Sequence, residues 1–297
     1  MTSSLPGLPR KVCIGSSEIK SLLGTCTHRG PYDVWGSKVT DEEEVFANAE
    51  YMEVATVLES SFLKLTEMKL QRQGFDIIIK PGKTVYKEVD GVNLRDTADG
   101  FAVPSTRHHK PLYTIETKAG YRADRDYYGE EWTDDVHEGY KDQCIWHCGM
   151  TGAPACVLSV QFFPTEFPKI YVIKEDPERF ALQVNTAVSF WKDHVETGIA
   201  PPTDASAACA RHLAKLAMKS ENLREASLDE RAFAEELAQL KKIEKANKTR
   251  ISLLQNQLRE ATGEYRGIDF GDGAKITFSP DKNGKRRMSS SLKALEI

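Results

Sequence analysis

Thr114-Ile115-Glu116-Thr117-Lys118 is the segment from which the architecture of this 297-residue chain can be worked out, together with Asp99 in Thr97-Ala98-Asp99-Gly100-Phe101-Ala102-Val103. Each segment alternates apolar with polar residues, and a turn rich in Ser, Thr and His separates them, so the sequence predicts a β-hairpin. Because side chains on a strand repeat every two residues, Glu116 and Lys118 must share one face. That face can meet Asp99 across the hairpin.

Two carboxylates and one ammonium group held together suit the hydrolysis of a phosphodiester. Hard carboxylate oxygens bind Mg²⁺ or Mn²⁺, and such a cation orients water and stabilises the charge of the pentacovalent phosphorus. The sequence therefore predicts Asp99 and Glu116 as metal ligands, with Lys118 orienting or helping to deprotonate the attacking water. The pattern alone leaves an alternative open, since charged residues also alternate on the solvated face of ordinary strands.

The order Asp99, Glu116-x-Lys118 resembles the core motif of the PD-(D/E)XK nucleases, although Ala98 stands where that family usually has proline and the spacing between the two acids is long. Other segments resemble one branch of these nucleases, the YqaJ-like phage recombination exonucleases related to lambda exonuclease. In chain order they are Ile14-Gly15-Ser16-Ser17-Glu18-Ile19 with Leu22-Leu23-Gly24, Pro31-Tyr32-Asp33-Val34-Trp35, Val57-Leu58-Glu59, and Tyr140-Lys141-Asp142-Gln143 with Gly149-Met150-Thr151-Gly152.

The resemblance implies an α/β fold, with a short mixed sheet flanked by helices as in restriction endonucleases. It also implies an Mg²⁺-dependent or Mn²⁺-dependent exonuclease that digests one strand of linear double-stranded DNA processively from 5′ to 3′. The 3′ overhangs would serve a single-strand annealing recombinase, and the enzyme would form a ring-shaped homo-oligomer, often a trimer. Two alternatives remain at this point: an endonuclease using the same site, and a noncatalytic DNA-binding or scaffold protein.

The resemblance also assigns roles to individual residues. It implies that the Thr117 carbonyl is a further metal ligand and that Glu59 belongs to the inner or outer shell of the metal. It places Tyr140 and Gln143 in the active cleft, the latter as a hydrogen-bond partner for the attacked phosphate or the lysine. Glu59 is otherwise a boundary residue of a helix, and Gln143 a polar residue on a half-buried helix.

Arg10 and Ser17 are candidates for binding the 5′-phosphate of the DNA end. A helix that begins with a serine cap, beside an arginine, can hold a phosphate group. The resemblance implies this role because an arginine lies seven residues ahead of such a serine in lambda-type exonucleases. The alternative is that Ser17 only caps the helix and Arg10 is a solvated flank.

The remaining segments predict the framework of the domain. Thr40-x-x-Glu43 is a capping box that opens a helical stretch from 41 to 73, and its core face is predicted from helical spacing at Ala55, Leu58, Phe62 and Leu65. Segments 76–80 and 84–88, joined through Pro81-Gly82, are predicted to form a second hairpin. Strands at 155–163 and 169–174 and a helix opening at Asp176-Pro177 follow. The aromatic residues of the loop 119–138 are predicted to pack locally, with stacking on a DNA base as the alternative.

The sequence predicts three parts: a nuclease domain at 1–203, a helical arm at 204–262 and a small basic, strand-rich tail at 263–297. The arm lacks Gly and Pro and carries a coiled-coil-like seam of apolar residues at a/d spacing, interrupted by Glu244 and Asn247. The apolar members of the seam are Leu237, Leu240, Ile251, Leu254 and Leu258. Such an arm is expected to pack on itself, on a sister subunit or on a partner.

Composition sets outer limits on the function. A net charge of −4 argues against a nonspecific nucleic-acid coat, which needs clustered Lys and Arg. The six cysteines contain no C-x-x-C pair, and Cys144, His147 and Cys148 lack the further ligands of a zinc site. The chain shows no secretory signal and no membrane-spanning stretch, so we expect a cytoplasmic protein, in the host cytoplasm if it is encoded by a phage.

Overall fold

The structure is a computed structural model that describes residues 7–40, 49–105, 112–120, 125, 127–162, 166–215, 222–284 and 286–292. The chain divides into two compact units, Met1–Ala217 and Met218–Ile297. Both contain helices and strands, which confirms the predicted α/β class. No helix of the described residues is both long enough and apolar enough to cross a bilayer.

The first unit contains six α-helices and eight strands within the described residues. The helices are α1 Ser16–Leu22, α2 Pro31–Val39, α3 Ala49–Arg72, α4 Glu138–Thr151, α5 Pro177–Phe190 and α6 Ala207–Ala214. The strands are β1 Ile14–Gly15, β2 Ile77–Pro81, β3 Val85–Val89, β4 Val92–Asp96, β5 Gly100–Pro104, β6 Tyr113–Gly120, β7 Ala155–Phe162 and β8 Lys169–Lys174.

The main sheet has five strands in the order β2-β5-β6-β7-β8, parallel between β6 and β7 and antiparallel elsewhere. Every residue of β7 is buried, because helices cover both faces of the sheet. Leu158 and Val160 pack with Cys144 and Cys148 of α4 on one face. Val157 lies on the opposite face, in the cluster that contains residues of α3. The sheet is therefore the middle of three layers.

The predicted hairpin of 76–80 with 84–88 is wrong. Strand β2 instead pairs with β5, and β3 pairs with β4 in a separate small sheet of order β1-β4-β3. The turn between β3 and β4 is Asp90-Gly91, with positive φ at both residues (50° and 83°), as a two-residue type I′ hairpin turn requires. Pro81-Gly82 leads the chain from one sheet to the other.

Helix boundaries follow local capping chemistry. The N–H of Gly15 donates to Glu18 Oε2 (2.9 Å), so Gly15 is the N-cap of α1 and Ser17 lies inside the helix. The prediction that a serine caps this helix is therefore wrong. Asp176 caps α5 by accepting from the N–H of Arg179, and Pro177 occupies the first helical position, as predicted.

Helix α3 carries the predicted core face only in part of its length. Phe62 is buried, and Leu58 and Leu65 are half-buried, as their spacing predicts. Glu43 of the predicted capping box and the side chain of Ala55 lie outside the described residues.

The sequence predicted a boundary at residue 203, but the two units divide between Ala217 and Met218. The reason is that α6 packs against α2 and so belongs to the first unit. The second unit holds one long helix, α7 Leu228–Thr262, opened by a capping box of Ser227 and Glu230. It is followed by an antiparallel sheet of three strands, β9 Gly267–Gly271, β10 Ala274–Pro280 and β11 Arg286–Ser291.

Candidate active site

Asp99 lies at the open edge of the central strand β6. Strand β5 pairs with β6 only from Ala102 to Gly100, which lies opposite Ile115, whereas β6 continues alongside β7 as far as Gly120. Asp99 occupies the bend just before β5, not the strand itself as the alternating pattern predicted. Its Oδ2 accepts hydrogen bonds of 2.7 Å from both the backbone N–H and the hydroxyl of Thr117.

The geometry of the strand also places the carbonyl of Thr117. The N–H and C=O of one strand residue point to the same side of the strand. Since the N–H of Thr117 meets Asp99, its carbonyl faces the same open edge and not β7. The sequence-predicted carbonyl ligand is thus on the correct side for a cation shared with Asp99.

Glu116 is the most tightly held carboxylate of the site, with 3% of the residue exposed. Its Oε1 accepts from Lys118 Nζ and from Gln143 Nε2 (2.7 Å), and its Oε2 accepts from His147 Nε2 (3.0 Å). Burial acts to raise the pKa of Glu116, but the neighbouring Lys118 and His147 outweigh it and lower the pKa to about 2. Glu116 is therefore ionised throughout the neutral range.

His147 lies in the site although its sequence motif, Cys144, His147 and Cys148, lacks the further ligands of a zinc centre. It is fully buried between two carboxylates, with Nδ1 2.7 Å from Asp96 Oδ1 and Nε2 bonded to Glu116. Burial opposes the charge, yet the two carboxylates outweigh it and raise the pKa of His147 well above its ordinary value. The ring therefore donates from both nitrogens. Because His147 lies four residues after Gln143, the two share one helix face, and this spacing could have identified His147 from the sequence.

Asp99 and Lys118 have pKa values that reflect their shared surroundings. Burial, followed by the charge of Glu116, raises the pKa of Asp99 to about 6. Burial acts to lower the pKa of Lys118, but Glu116 and Asp99 outweigh it and raise it. The site thus combines a carboxylate whose pKa is raised with an ammonium group that is protonated at neutral pH.

Glu59 on α3 lies within electrostatic reach of the same centre. Its pKa is raised, first by burial and then by the charge of Glu116, while Lys118 acts in the opposite direction. The charge of Glu116 therefore raises the pKa of both Glu59 and Asp99. A divalent cation bound beside Glu116 would relieve both repulsions.

The residues fit a hard, incompletely ligated cation. Among the described residues, no set of three His, Cys, Asp or Glu side chains meets the geometry of a metal centre. Mg²⁺ commonly binds one or two carboxylates and retains several waters. Asp99 and Glu116, with the carbonyl of Thr117, are the groups that would hold such a cation, and Glu59 would then act from outside this set.

Tyr140 and Lys20 flank Lys118. The Tyr140 ring stacks on Tyr128 (centroids 5.6 Å apart, planes 8° apart) and lies 6.0 Å from Lys118 Nζ and 5.6 Å from Lys20 Nζ. Lys20 donates to Gln143 Oε1 at 3.5 Å. Burial, and next the charge of Lys118, lowers the pKa of Lys20. No motif pointed to Lys20, which reaches the site only because α1 packs on α4.

Arg10 and Ser17, the two candidates for binding a 5′-phosphate, contact each other. Arg10 Nη2 donates to Ser17 Oγ over 3.2 Å at an exposed position. Ser17 and Lys20 are three residues apart on α1 and so lie on one side of that helix. The Arg10–Ser17 pair is therefore about one helical turn from the residue that contacts Gln143.

The loop aromatics pack within the first unit. Tyr128 contacts Tyr140, Phe162 and Tyr171, and Trp132 stacks on Phe75 with centroids 6.1 Å apart. Local packing is thus confirmed for these two side chains.

No protein-family profile matches the chain, and no curated protein matches it. Among solved structures, it is similar to an alkaline exonuclease from Laribacter hongkongensis (16% identity, 70% of this chain and 96% of that one, TM-score 0.46). It is also similar to a phage-related exonuclease from Haemophilus somnus 129PT (14% identity, 63% of this chain and 96% of that one, TM-score 0.45). A third similar structure is a putative exonuclease from Eubacterium rectale (14% identity, 74% of this chain and 92% of that one, TM-score 0.43). These are exonucleases by description, the class that the sequence resembles. At such low identities and TM-scores the likeness assigns no activity to this chain.

Proposed function

We propose that this chain is a metal-dependent deoxyribonuclease of the PD-(D/E)XK type. One observation carries the proposal: Asp99, Glu116 and Lys118 converge at the open edge of β6, where the main chain is free of the neighbouring strand β5. Burying this many charged groups is costly unless they are paired. The arrangement suits phosphodiester hydrolysis, in which carboxylates hold a divalent cation and an ammonium group directs water.

Asp99, Glu116 and the carbonyl of Thr117 would hold Mg²⁺ or Mn²⁺, with Glu59 acting from the outer shell. Such a cation, when bound, supplies Lewis-acid stabilisation of the phosphate and of the attacking water. Glu116 is kept ionised and in one orientation by the hydrogen bonds from Gln143 and His147.

Lys118 supplies positive charge beside the carboxylates and directs a water molecule or a phosphate oxygen by donating hydrogen bonds. A bound divalent cation would favour the neutral form of Lys118, so this residue would orient the attacking water or help to deprotonate it. Gln143 donates a hydrogen bond from Nε2 to Glu116 and accepts one at Oε1 from Lys20. Tyr140 shields the two lysines on one side of the site.

We further propose exonucleolytic digestion of linear duplex DNA from 5′ to 3′, with Arg10 and Ser17 binding the 5′-phosphate. Their mutual contact at an exposed position leaves both groups accessible to a terminal phosphate. The polarity, the processivity, the annealing recombinase as partner and the trimeric ring are supported by the sequence resemblance alone.

The direct test incubates the protein with linear duplex DNA labelled at either end, with and without Mg²⁺. We expect shortening from the 5′ end that EDTA abolishes. A covalently closed circular duplex distinguishes the endonuclease alternative, because an exonuclease leaves it intact. Cleavage of the circle at the rate of the linear substrate would replace the exonuclease proposal.

The site itself is tested with Lys118→Met, which removes the ammonium group and keeps most of the apolar stem. We expect hydrolysis to fall by at least about 10²-fold, the scale of losing one preorganised electrostatic contact. Lys83→Met is the matched control, since Lys83 is exposed. Equal turnover by both variants would refute the assigned site.

The 5′-phosphate role is tested with Arg10→Ala on ends that carry a 5′-phosphate or a 5′-hydroxyl. We expect the preference for phosphorylated ends to disappear, with Lys11→Ala as the neighbouring exposed control. An unchanged ratio of the two rates in Arg10→Ala would exclude this residue from end recognition.

A further inference from the structure

The long helix α7 carries an apolar seam that the described residues leave largely uncovered. Over its 35 residues, only Thr262 is buried. Phe233 is 69% exposed, and the next apolar residues along the seam are 41–55% exposed, namely Leu237, Leu240, Ile251 and Leu254. Isolated helices in water gain little stability without an apolar partner surface. Such a seam is therefore expected to be covered by another helix.

The seam follows a heptad repeat without a break. Residues recur at alternating steps of four and three, which is the a/d pattern of a two-stranded coiled coil. The d positions are Phe233, Leu240, Asn247 and Leu254, and the a positions are Leu237, Glu244, Ile251 and Leu258. The two polar residues, Glu244 and Asn247, occupy neighbouring layers in the middle of the helix.

The seam is self-complementary when a second copy runs in the opposite direction. In an antiparallel pair, residues equidistant from the midpoint of the overlap face each other. With the midpoint between Lys245 and Ala246, every apolar seam residue faces an apolar residue of the second copy. The facing pairs are Phe233 with Leu258, Leu237 with Leu254, Leu240 with Ile251, and Glu244 with Asn247.

The polar layers select this orientation over the parallel one. In a parallel pair each seam residue faces its own copy, so two Glu244 carboxylates would meet in the seam. Antiparallel pairing instead offers each Glu244 the side-chain amide of Asn247 as a donor. In the antiparallel pair, Lys248 approaches Lys241 of the second copy, and the two ammonium groups repel each other. Within its own helix, Lys248 Nζ donates to Glu244 at 2.5 Å, which offsets this repulsion.

We propose that α7 is a homodimerisation element that forms an antiparallel two-stranded coiled coil with a second copy of this chain. Covering the half-exposed seam on both helices removes on the order of 1,000 Å² of surface from water, at the lower range for a specific interface. Each dimer then carries two first units, and hence two copies of the site at β6. The inference rests on α7 alone and not on the proposed nuclease activity.

The first test measures the mass of the full chain by sedimentation equilibrium across a range of concentrations. Leu254→Glu places a charge in the seam, and Leu253→Glu makes the same change on the adjacent residue outside it. Both leucines are exposed, at 41% and 47%, so neither change disturbs a core, which circular dichroism checks. We expect the dimer dissociation constant to rise at least about 100-fold in Leu254→Glu and to stay within about threefold in Leu253→Glu.

A monomeric wild-type chain at about 100 μM, or an assembly equally unaffected by both changes, would overturn the proposal. The second outcome includes a trimer that forms through the first unit. A loss of the dimer in both variants alike would also overturn it, because the contact would then not follow the seam.

Orientation is tested by disulfide trapping in a Cys26→Ser background, because the other five cysteines are buried. We expect a mixture of Leu240→Cys and Ile251→Cys chains to form a cross-linked heterodimer under mild oxidation. Leu240→Cys alone should not cross-link, because antiparallel copies separate these positions by about 16 Å along the axis, too far for a disulfide. Efficient cross-linking of Leu240→Cys alone would show a parallel pair and overturn the assignment.

Discussion

Replacing Asp99 by asparagine is predicted to stabilise the metal-free protein while abolishing its activity. The carboxylate is half-buried, and this burial together with the charge of Glu116 raises its pKa from 3.8 to about 6. The full shift corresponds to about 3 kcal/mol of native stability lost at pH 7. Because part of Asp99 reaches solvent, we expect a gain of about 2 kcal/mol for Asp99→Asn. The amide oxygen can still accept both hydrogen bonds from Thr117.

The sign of the pH dependence follows from the raised pKa. Between pH of about 4 and 6 the native protein binds this proton more tightly than the unfolded chain, so the free energy of unfolding falls as the pH rises. The loss of stability caused by the Asp99 carboxylate is complete above its pKa in the native protein and absent well below its pKa in the unfolded chain. The advantage of Asp99→Asn should therefore be largest at pH 7.5 and shrink steadily as the pH is lowered through 6 toward 4.

The assay is urea unfolding in EDTA at several pH values, with Asp134→Asn as the matched control. Asp134 has a side chain 69% exposed and 3.7 Å from Lys141, so its replacement should change stability by less than about 0.5 kcal/mol. Adding Mg²⁺ should stabilise the wild type and narrow the difference, since a ligand of the native state adds stability by mass action. An Asp99→Asn protein that is less stable than the wild type at pH 7.5 in EDTA would refute the reasoning.

Two further changes test how the site is held in place. His147→Ala leaves the buried carboxylates of Asp96 and Glu116 without the ring between them. We therefore expect the free energy of unfolding to fall by about 3–5 kcal/mol. A loss below about 1 kcal/mol in urea unfolding would contradict the ion-pair assignment. Gly82→Ala would drive a Cβ atom into the backbone oxygen of Ala98 and displace the neighbouring residue Asp99, so kcat should fall by about 10²-fold. Steady-state kinetics giving a wild-type kcat would show that this backbone contact does not position the carboxylate.

Local patterns were sufficient for much of the framework. The period of two at 113–118 and at 100–104 predicted the hairpin that presents Glu116 and Lys118. The cap at Asp176, followed by Pro177, predicted the start of α5. These features depend on residues close in sequence, so the backbone preference of a short segment decides them.

Local reasoning failed where two competing local signals existed. Pro81-Gly82 and Asp90-Gly91 both suit turns, and only the second joins two paired strands. Serine at 16 or 17 is a good helix cap, yet Gly15 with the side chain of Glu18 fills that role. Which signal prevails depends on the partners that the rest of the fold brings to each segment.

The sequence by itself predicted which carboxylates and which lysine share one strand face, because side chains on a strand repeat every two residues. It does not reveal that His147, 31 residues beyond Glu116, joins Glu116 to Asp96, nor that Lys20 reaches Gln143. Those contacts exist because α1 and α4 pack against each other, and because α4 also packs against the small sheet and the five-stranded main sheet. Such packing depends on the burial of the whole core, and no spacing within a single segment encodes it.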